Sequence, residues 1–221
     1  MCGRYTLRTS AIDLVEVFQL LREPVLEPRY NIAPTQTVAV VRQIEKHREL
    51  SVMRWGLVPS WSKDPKAGPP LINARADTAA TKPAFRTAFK KRRCLIPADG
   101  FYEWRKGDGK NKQPYFIRMA KDRVFAFAGL WESWNGTDAE PVESCTIITT
   151  DANDVLRPIH DRMPVILPEE NYDRWLNLKI DNSEQLQPLL KSYPAEEMTA
   201  FPINTLVNSP RNDTATCIEP L

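Results

Sequence analysis

Residues Cys94–Trp104, with the sequence CLIPADGFYEW, hold two short runs of β-branched, aromatic and other apolar side chains that meet at Asp99-Gly100. Such runs favour strands, because branched and aromatic side chains pack well on a pleated surface. The segment Gly107-Asp108-Gly109 then supplies the turn residues of a hairpin. We therefore expect a mixed or antiparallel sheet that curls around a core. Its predicted strands are Thr37–Arg42, Leu50–Leu57, Cys94–Pro97, Gly100–Lys106, Tyr115–Met119, Val124–Trp131 and Cys145–Thr150.

Helical patterns flank this strand-rich middle. Ser10 and Asp13 resemble a capping box at the start of one helix, and Pro83 lies where the first turn of a second is expected. A third helical region is expected over Glu169–Lys191. The apolar positions expected to face the core from the first two helices are Ile12, Val15, Phe18 and Leu21, followed by Phe85, Ala88 and Phe89.

The length and composition limit the class of protein. A chain of 221 residues with 42% hydrophobic residues can build one sizeable core. We predict an α+β fold in which residues 1–221 form a single domain, with a curled, open-barrel-like β core flanked by helices. The net charge of +2 gives no strong nucleic-acid signal, so any DNA binding has to come from local patches.

The cysteine and histidine content argues against a metal site. The four cysteines form no C-x-x-C pair and only two histidines are present, so we expect no metal and no cofactor. The four cysteines are typical of reduced thiols in a cytoplasmic protein. No apolar run is long enough to span a membrane and the start lacks a signal-peptide layout, so we expect a cytoplasmic monomer with no membrane partner.

The first residues, Met1-Cys2-Gly3-Arg4, offer a distinctive chemistry. If Met1 is removed, Cys2 carries a free α-amine and a thiol on adjacent carbons. An aldehyde can form an imine with the amine and then be attacked by the sulfur, which closes a five-membered thiazolidine ring. Both groups are reactive near neutral pH, since an α-amine titrates at about 7.7–8.0 and a thiol near 8.5. The alternative is a chance cysteine in a disordered terminus, and position alone favours that alternative.

Two further residues are candidates for proton transfer. Glu103 lies among three aromatic residues, a setting that can raise a carboxyl pKa and make it a general acid or base; the commoner alternative is an outward-facing Glu on a strand. His160 lies between two prolines and beside Asp161. That composition suits proton transfer, although a single histidine is more often a structural hydrogen-bonding group.

Loop segments carry the remaining candidates. The run Pro59–Pro70 predicts a surface loop, in which Trp61 has equal weight as a core anchor and as a stacking platform for a base. Arg29–Thr35 is predicted to be irregular, since Pro34 disfavours helix before it. His47 is interpreted as a solvated turn histidine, because no second ligand lies at metal spacing.

Six motifs, in this order, closely resemble those of the SOS-response-associated peptidase family, whose members are also called abasic-site processing proteins. The resemblance runs from residue 2 to beyond residue 200. The motifs are MCGRY at 1–5, RYNIAP at 29–34, RWGLVP at 54–59, INAR at 72–75, CLIPADGFYEW at 94–104 and IHDRMP at 159–164.

The resemblance implies a protein that binds single-stranded DNA and cross-links itself to abasic sites. By that resemblance, Cys2 forms the thiazolidine with the ring-opened sugar, and Asn73 positions the N-terminal residue and the sugar. Glu103 assists ring opening and imine formation, and His160 is a second proton-transfer group. The family positions near DNA correspond to Arg4, Arg75 and Arg162 at the backbone and to Pro34 and Trp61 in loops beside the displaced bases.

Two other classes of function remain open at this point. An N-terminal cysteine is also the nucleophile of peptidases and amidohydrolases, where the α-amine acts as the base. A binding module for damaged DNA would hold the lesion without any chemistry. A hydrolase turns over a peptide or amide, a cross-linker is consumed stoichiometrically, and a binding module forms no covalent species.

Overall fold

The strands and helices are taken from a computed structural model that describes residues 2–64, 68–107, 112–136 and 140–221. It has an α+β fold with a curled, mixed sheet, as the sequence predicts. The helices are α1 (Ala11–Phe18), α2 (Arg86–Lys91), α3 (Tyr172–Leu176) and α4 (Ser183–Leu186). The strands are β1 (Tyr5–Leu7), β2 (Arg29–Ile32), β3 (Thr37–Ile44), β4 (His47–Trp55), β5 (Asn73–Arg75), β6 (Arg93–Ala98), β7 (Gly100–Lys106), β8 (Lys112–Met119), β9 (Phe125–Trp134), β10 (Val142–Asp151), β11 (Arg162–Pro164), β12 (Ile166–Leu167) and β13 (Met198–Pro202).

The strands form two sheets. The first has the order β13-β8-β7-β1-β2 and is antiparallel throughout. The second has the order β11-β10-β4-β3-β6-β9-β12, with β5 added beside β10. It curls far enough for β10 to pair in parallel with β4 and antiparallel with β9. The parallel pairings of β10 with β4 and β5 make this sheet mixed.

The main core lies between the two sheets, and β7 contributes to it with alternate residues. Phe101 belongs to this core, whereas Tyr102 packs in a smaller cluster on the other face of the strand with Trp104 at its edge. Because side chains alternate along a strand, Glu103 lies on the same face as Phe101 and is buried with it. The assignment of residues 1–221 to a single domain stays a prediction.

The strand that follows Cys2 is fixed at both ends. β1 lies inside its sheet, with Tyr5 opposite both Ile32 of β2 and Phe101 of β7. At its far end the buried Asp99 carboxylate accepts hydrogen bonds from Thr6 Oγ1 (2.6 Å) and from the main chain of the residues that follow β1, including Arg8 N (2.5 Å). The N-terminal segment is therefore part of the sheet.

The turn after β4 depends on a glycine. Gly56 has a φ of +132°, and a Cβ there would lie 2.8 Å from Pro70 Cβ. Only glycine adopts such a conformation without strain and allows this approach. The turn brings the chain from β4 to the loop that holds Trp61.

Several expectations about local structure are wrong in detail. Arg29–Ile32 is a strand, not an irregular segment. Ser10 does cap α1, with its hydroxyl 3.2 Å from Asp13 N, but the buried residues of α1 are Leu14 and Phe18, while Ile12 and Leu21 are exposed. Arg29–Ile32 forms a strand because its pairing with β1 outweighs the tendency of Pro34 to keep the preceding chain irregular.

The region after Glu169 also differs from expectation. It is broken into α3, α4 and 3-10 turns, although Tyr172, Trp175 and Leu176 are buried as a helical face. His47 begins β4 and is half-buried. Asp108 and Gly109 of the predicted hairpin lie outside the described residues. None of the helices in the described ranges is long and apolar enough to cross a membrane.

Candidate functional site

Cys2 lies at the entry to β1 and is fully buried. Burial raises the pKa of its thiol far above the ordinary value, and the nearby charge of Glu103 raises it further. At neutral pH the sulfur is therefore protonated. A reaction at this thiol needs a group that takes its proton as the new bond forms.

Asn73 connects β5 to the N-terminal residue. Its Nδ2 donates a 2.8 Å hydrogen bond to the Cys2 carbonyl oxygen. β5 is held in parallel beside β10, with Asn73 opposite Ile147, and this pairing sets the direction of the amide. Asn73 Oδ1 is buried and has no hydrogen-bond partner among the described residues. An acceptor in that situation is costly unless a ligand or water satisfies it.

Glu103 is the buried carboxyl group of this site. It is 3% exposed, and burial raises its pKa, while the charge of His160 opposes that rise. Desolvation penalises the ionised form of Glu103 and so favours its acid form. The sequence predicted a raised pKa from three aromatic neighbours, and the direction is confirmed. The cause is different in part, because Tyr102 and Trp104 lie on the opposite face of β7.

His160 lies in a tight turn before β11. Its Nδ1 is 2.9 Å from the Arg162 main-chain N–H and 2.9 Å from Asp161 Oδ1. In the neutral ring Nδ1 accepts from Arg162, so the proton is on Nε2; in the charged ring Nδ1 can donate to Asp161 instead. The turn thus supports both protonation states. Glu103 and His160 interact electrostatically, which places them in one site with Cys2.

Arg4 has its guanidinium fixed by hydrogen bonds. Nη1 donates to Asn31 Oδ1 at 2.8 Å and to Val207 O at 2.7 Å, and the group lies 5.8 Å from the centre of the Trp104 ring. Arg4 and Trp104 line an open cleft of about 950 Å³. The other described lining residues are Arg105, Gly107, Lys112, Gln113, Thr205 and Asn208, and these described residues include basic but no acidic side chains.

Arg75 and Arg162 flank the end of β10. Arg75 lies opposite Thr149, and Arg162 lies opposite Asp151 on the other side of the strand. Each is paired with an acid: Arg75 with Asp77 at 2.6 Å, and Arg162 with Asp151 at 2.5 Å. A phosphate that binds either arginine competes with a carboxylate.

The two loop residues differ in exposure. Trp61 is 66% exposed, so it is not a core anchor. Its loop is attached to β9 through Trp134 Nε1, which donates to Ser62 O at 2.7 Å. Pro34 is half-buried in the turn after β2. A role of either residue in base contacts stays a prediction.

Sequence reasoning missed several residues that organise the site. Asn31 and Asp213 hold the N-terminal strands to the end of the chain, and Trp104 forms one wall of the cleft. The one available signal was Asn31 itself, a polar residue within the RYNIAP motif. No group of three or more potential metal ligands occurs among the residues that the structure describes.

The fold and site together define a protein with a buried thiol at Cys2, near the buried carboxyl group of Glu103 and beside a curled sheet. The chain belongs to the SOS response associated peptidase (SRAP) family, whose model matches residues 1–210. It is 46% identical to the abasic site processing protein YoqW of Bacillus subtilis over 222 residues, which cover 99% of each chain.

More distant similarities support the same family. The chain is 36% identical to the abasic site processing protein HMCES of Gallus gallus over 234 residues, which cover 91% of this chain and 68% of that protein. Its fold matches a crystal structure of a protein from Bacteroides thetaiotaomicron with a TM-score of 0.88 and 29% identity, covering both chains fully.

Proposed function

We propose that this chain captures abasic sites in single-stranded DNA by forming a thiazolidine between the ring-opened sugar aldehyde and the amine and thiol of Cys2, once Met1 has been removed. The product is a covalent DNA–protein cross-link that shields the lesion. The family membership and the names of the relatives support a protein that acts on abasic sites. The chemistry is inferred from the residues around Cys2.

One observation carries the proposal: the Asn73 amide holds the Cys2 carbonyl at 2.8 Å. In addition, the buried acid Glu103 lies close enough to influence the Cys2 thiol. A fixed main chain fixes the α-amine and Cβ relative to the groups around them. Such positioning lowers the entropic cost of closing a ring. Asn73 Oδ1, buried without a partner among the described residues, is available to accept a hydrogen bond from the amine or the sugar.

The first step joins nitrogen to carbon. The neutral α-amine adds to the aldehyde carbon, and a proton moves from nitrogen to oxygen to give a carbinolamine. Protonated Glu103 then donates its proton to the carbinolamine hydroxyl, which leaves as water, so that an iminium ion and the Glu103 carboxylate remain. A carboxyl group whose pKa is raised suits this step, because burial favours its protonated form.

The second step closes the ring. The Cys2 sulfur attacks the iminium carbon while its proton passes to the Glu103 carboxylate, which restores the acid. The net change is the loss of one water, and Glu103 returns to its starting state. His160, which interacts with Glu103, is assigned the proton transfer that opens the sugar ring before capture.

The electrophile distinguishes the cross-linker from a cysteine hydrolase. A hydrolase attacks an amide carbonyl, a poor electrophile, and needs a thiolate, which forms through a lowered pKa or through a base such as the α-amine. Burial raises the pKa of the Cys2 thiol. An iminium ion is a far stronger electrophile, so a protonated thiol with an adjacent base is sufficient for it.

The proposal is tested with one oligonucleotide containing a single abasic site. The processed protein, verified by intact mass, is incubated with this strand, with the undamaged strand and with the matching duplex. A heat-stable band shift on a denaturing gel is expected for the abasic single strand and little for the other two. No shifted band after prolonged incubation would exclude the cross-link.

A matched protein with an uncleaved extension before Cys2 separates the mechanisms. It keeps the thiol but has no free amine, so it should bind single-stranded DNA and form no stable adduct. A stable adduct from this protein would mean that the thiol acts alone. For the processed parent, turnover of peptide substrates without adduct formation would favour the hydrolase, and tight binding without any adduct would favour the binding module.

A further inference from the structure

Asn31 is the centre of a polar network that joins both ends of the chain. Its side chain is fully buried at the inner end of β2. Oδ1 accepts from Arg4 Nη1 at 2.8 Å. Nδ2 lies within hydrogen-bond distance of three main-chain carbonyls, those of Val207 (3.2 Å), Ser209 (3.0 Å) and Asn212 (2.6 Å).

The carbonyls belong to residues 207–213, which we call the strap. Asp213, at its end, accepts from the main-chain N–H groups of Tyr30 (2.5 Å) and Asn31 (2.8 Å) and pairs with Arg29. Val207, at its start, is fully buried against Tyr102 and Phe116. The strap is therefore fixed at both ends over the outer face of β7.

The network determines where Arg4 points. Val207 O and Asn31 Oδ1 both bind Nη1, so one side of the guanidinium is fixed by buried acceptors. Nε and Nη2 of Arg4 have no hydrogen-bond partner among the described residues, and they are not among the buried unsatisfied atoms. A guanidinium fixed on one side can offer its other donors to an anion, with little rotamer entropy left to lose.

We propose that Asn31, held by the strap, is a positioning residue that presents the Arg4 guanidinium to a phosphate of the bound single strand. The inference rests on the proposed function, since it takes the DNA strand as the ligand of Arg4. It adds that the C-terminal segment, distant in sequence from Cys2, contributes to DNA affinity without touching DNA. Trp104, whose Nε1 donates to Asn208 Oδ1 at 2.7 Å, links the same strap to the basic cleft.

The charges around Arg4 also favour binding of a phosphate there. The cleft that Arg4 lines has Arg105 and Lys112 among its described residues and no acid, in contrast to the surroundings of Arg75 and Arg162. Among the described residues Arg4 forms no ion pair with a carboxylate, so a phosphate at Arg4 does not have to displace any of those acids. We expect Arg4 to account for more of the binding free energy than either of the other two arginines.

The test is a double-mutant cycle on Arg4 and Asn31. Affinity for undamaged single-stranded DNA is measured over a series of salt concentrations, and the cross-linking rate is measured at saturating abasic strand. Arg4→Ala should weaken binding roughly tenfold, the effect of losing one charge-assisted hydrogen-bonding group. It should also reduce the salt slope by about one unit.

Asn31→Ala should reproduce most of that loss in affinity and slope, and the double variant should bind no more weakly than Arg4→Ala alone. The cross-linking rate at saturation is measured for all three variants, so that the loss in affinity is separated from any change in rate. A change confined to stability leaves the salt slope unaltered, so the slope separates positioning from a structural role. An unchanged affinity and slope in Asn31→Ala, or a loss that multiplies with that of Arg4→Ala, would overturn the proposal.

Asn153→Ala is the matched control. Asn153 is also a buried asparagine that ties distant segments, donating to Tyr193 O at 2.8 Å and accepting from Leu156 N at 3.1 Å, but it has no contact with Arg4. It should lower stability and leave the salt slope at the parent value. A lowered slope in this variant would count against the proposal.

Asp213→Asn serves if Asn31→Ala does not fold. It weakens the attachment of the strap and keeps the Asn31 side chain, so a smaller loss in the same direction is expected; an unchanged salt slope would refute the positioning role. Cross-linking by the parent protein is measured beside it. Absence of a parent adduct would refute the proposed function, whereas a normal parent adduct with an unchanged Asn31→Ala slope refutes only this inference.

Discussion

The capture cluster around Cys2 and the arginines beside β10 are built in opposite ways. Cys2 and Glu103 are buried and share a single site with Asn73, whereas Arg75 is more than half exposed and paired with Asp77. Buried groups have pKa values shifted by desolvation, and exposed pairs are screened by water and salt. Under the proposed function, the chemistry depends on the buried cluster, and the exposed Arg75 tunes DNA affinity in a way that salt can modulate.

The largest effect is expected when the sulfur of Cys2 is removed from the buried cluster. Cys2→Ser should form no stable adduct, because a serine oxygen does not close the thiazolidine, while its free amine still forms an imine that borohydride traps. Cys145→Ala is the control: Cys145 is equally buried and burial likewise raises its thiol pKa, yet it carries no α-amine. A stable adduct from Cys2→Ser without borohydride would contradict the mechanism.

The next largest effect on cross-linking is expected when Glu103 is replaced. Glu103→Gln should slow cross-linking about a hundredfold or more, the usual contribution of a general acid or base, with little change in affinity for undamaged DNA. Single-turnover rates at saturating DNA measure the first quantity and equilibrium titration the second. Equal rates for variant and parent would make Glu103 a structural residue.

A smaller effect is expected at the exposed arginine. Arg75→Ala should weaken binding to single-stranded DNA severalfold and reduce its salt slope by about one unit, with the saturated rate unchanged. Asp77→Asn removes the carboxylate that competes with phosphate for Arg75 and should strengthen binding slightly. Titrations at several salt concentrations distinguish the two, and an unchanged slope in Arg75→Ala would exclude a phosphate contact.

The smallest effect concerns stability and its dependence on pH. The pKa of Glu103 is raised in the folded state, so the native protein binds this proton more tightly than the unfolded chain does. Ionisation of Glu103 therefore lowers the free energy of unfolding as pH rises above the ordinary Glu pKa near 4.3. The loss reaches its full size once the pH exceeds the pKa of Glu103 in the folded state. Glu103→Gln should be more stable than the parent at neutral pH, with the gain shrinking toward pH 4.

Thermal unfolding of both proteins across that range measures the difference. A variant that is less stable at neutral pH, or a gain that grows on acidification, would contradict the raised pKa.

Local sequence patterns predicted much of the β core. The predicted strands Cys94–Pro97 and Gly100–Lys106 lie within β6 and β7, and Ser10 caps α1 as its hydroxyl indicated. These features depend on side chains close in sequence. The motif resemblance, in turn, singled out Asn73, whose contact with Cys2 spans 71 positions and has no local signature.

The features that sequence did not predict are long-range. β2 exists because β1 pairs with it, although Pro34 favours an irregular chain nearby. Residues 177–182 separate α3 from α4. Within this segment the carbonyls of Asn177 and Ile180 accept hydrogen bonds from the buried Arg93. Asn31 meets the strap across more than 170 positions. Polar residues of this kind have several possible partners, and only the folded chain selects among them.

The position of β1 inside its sheet has a mechanical consequence. A strand of DNA attached to Cys2 would pull along β1, and that load is shared by the hydrogen bonds to β2 on one side and β7 on the other. These bonds lie across the direction of pull, so they resist it together in shear. The Asp99 carboxylate grips the main chain beyond β1 and holds the far end of the loaded segment. Tension on the attached strand would thus be distributed over β1, β2 and β7.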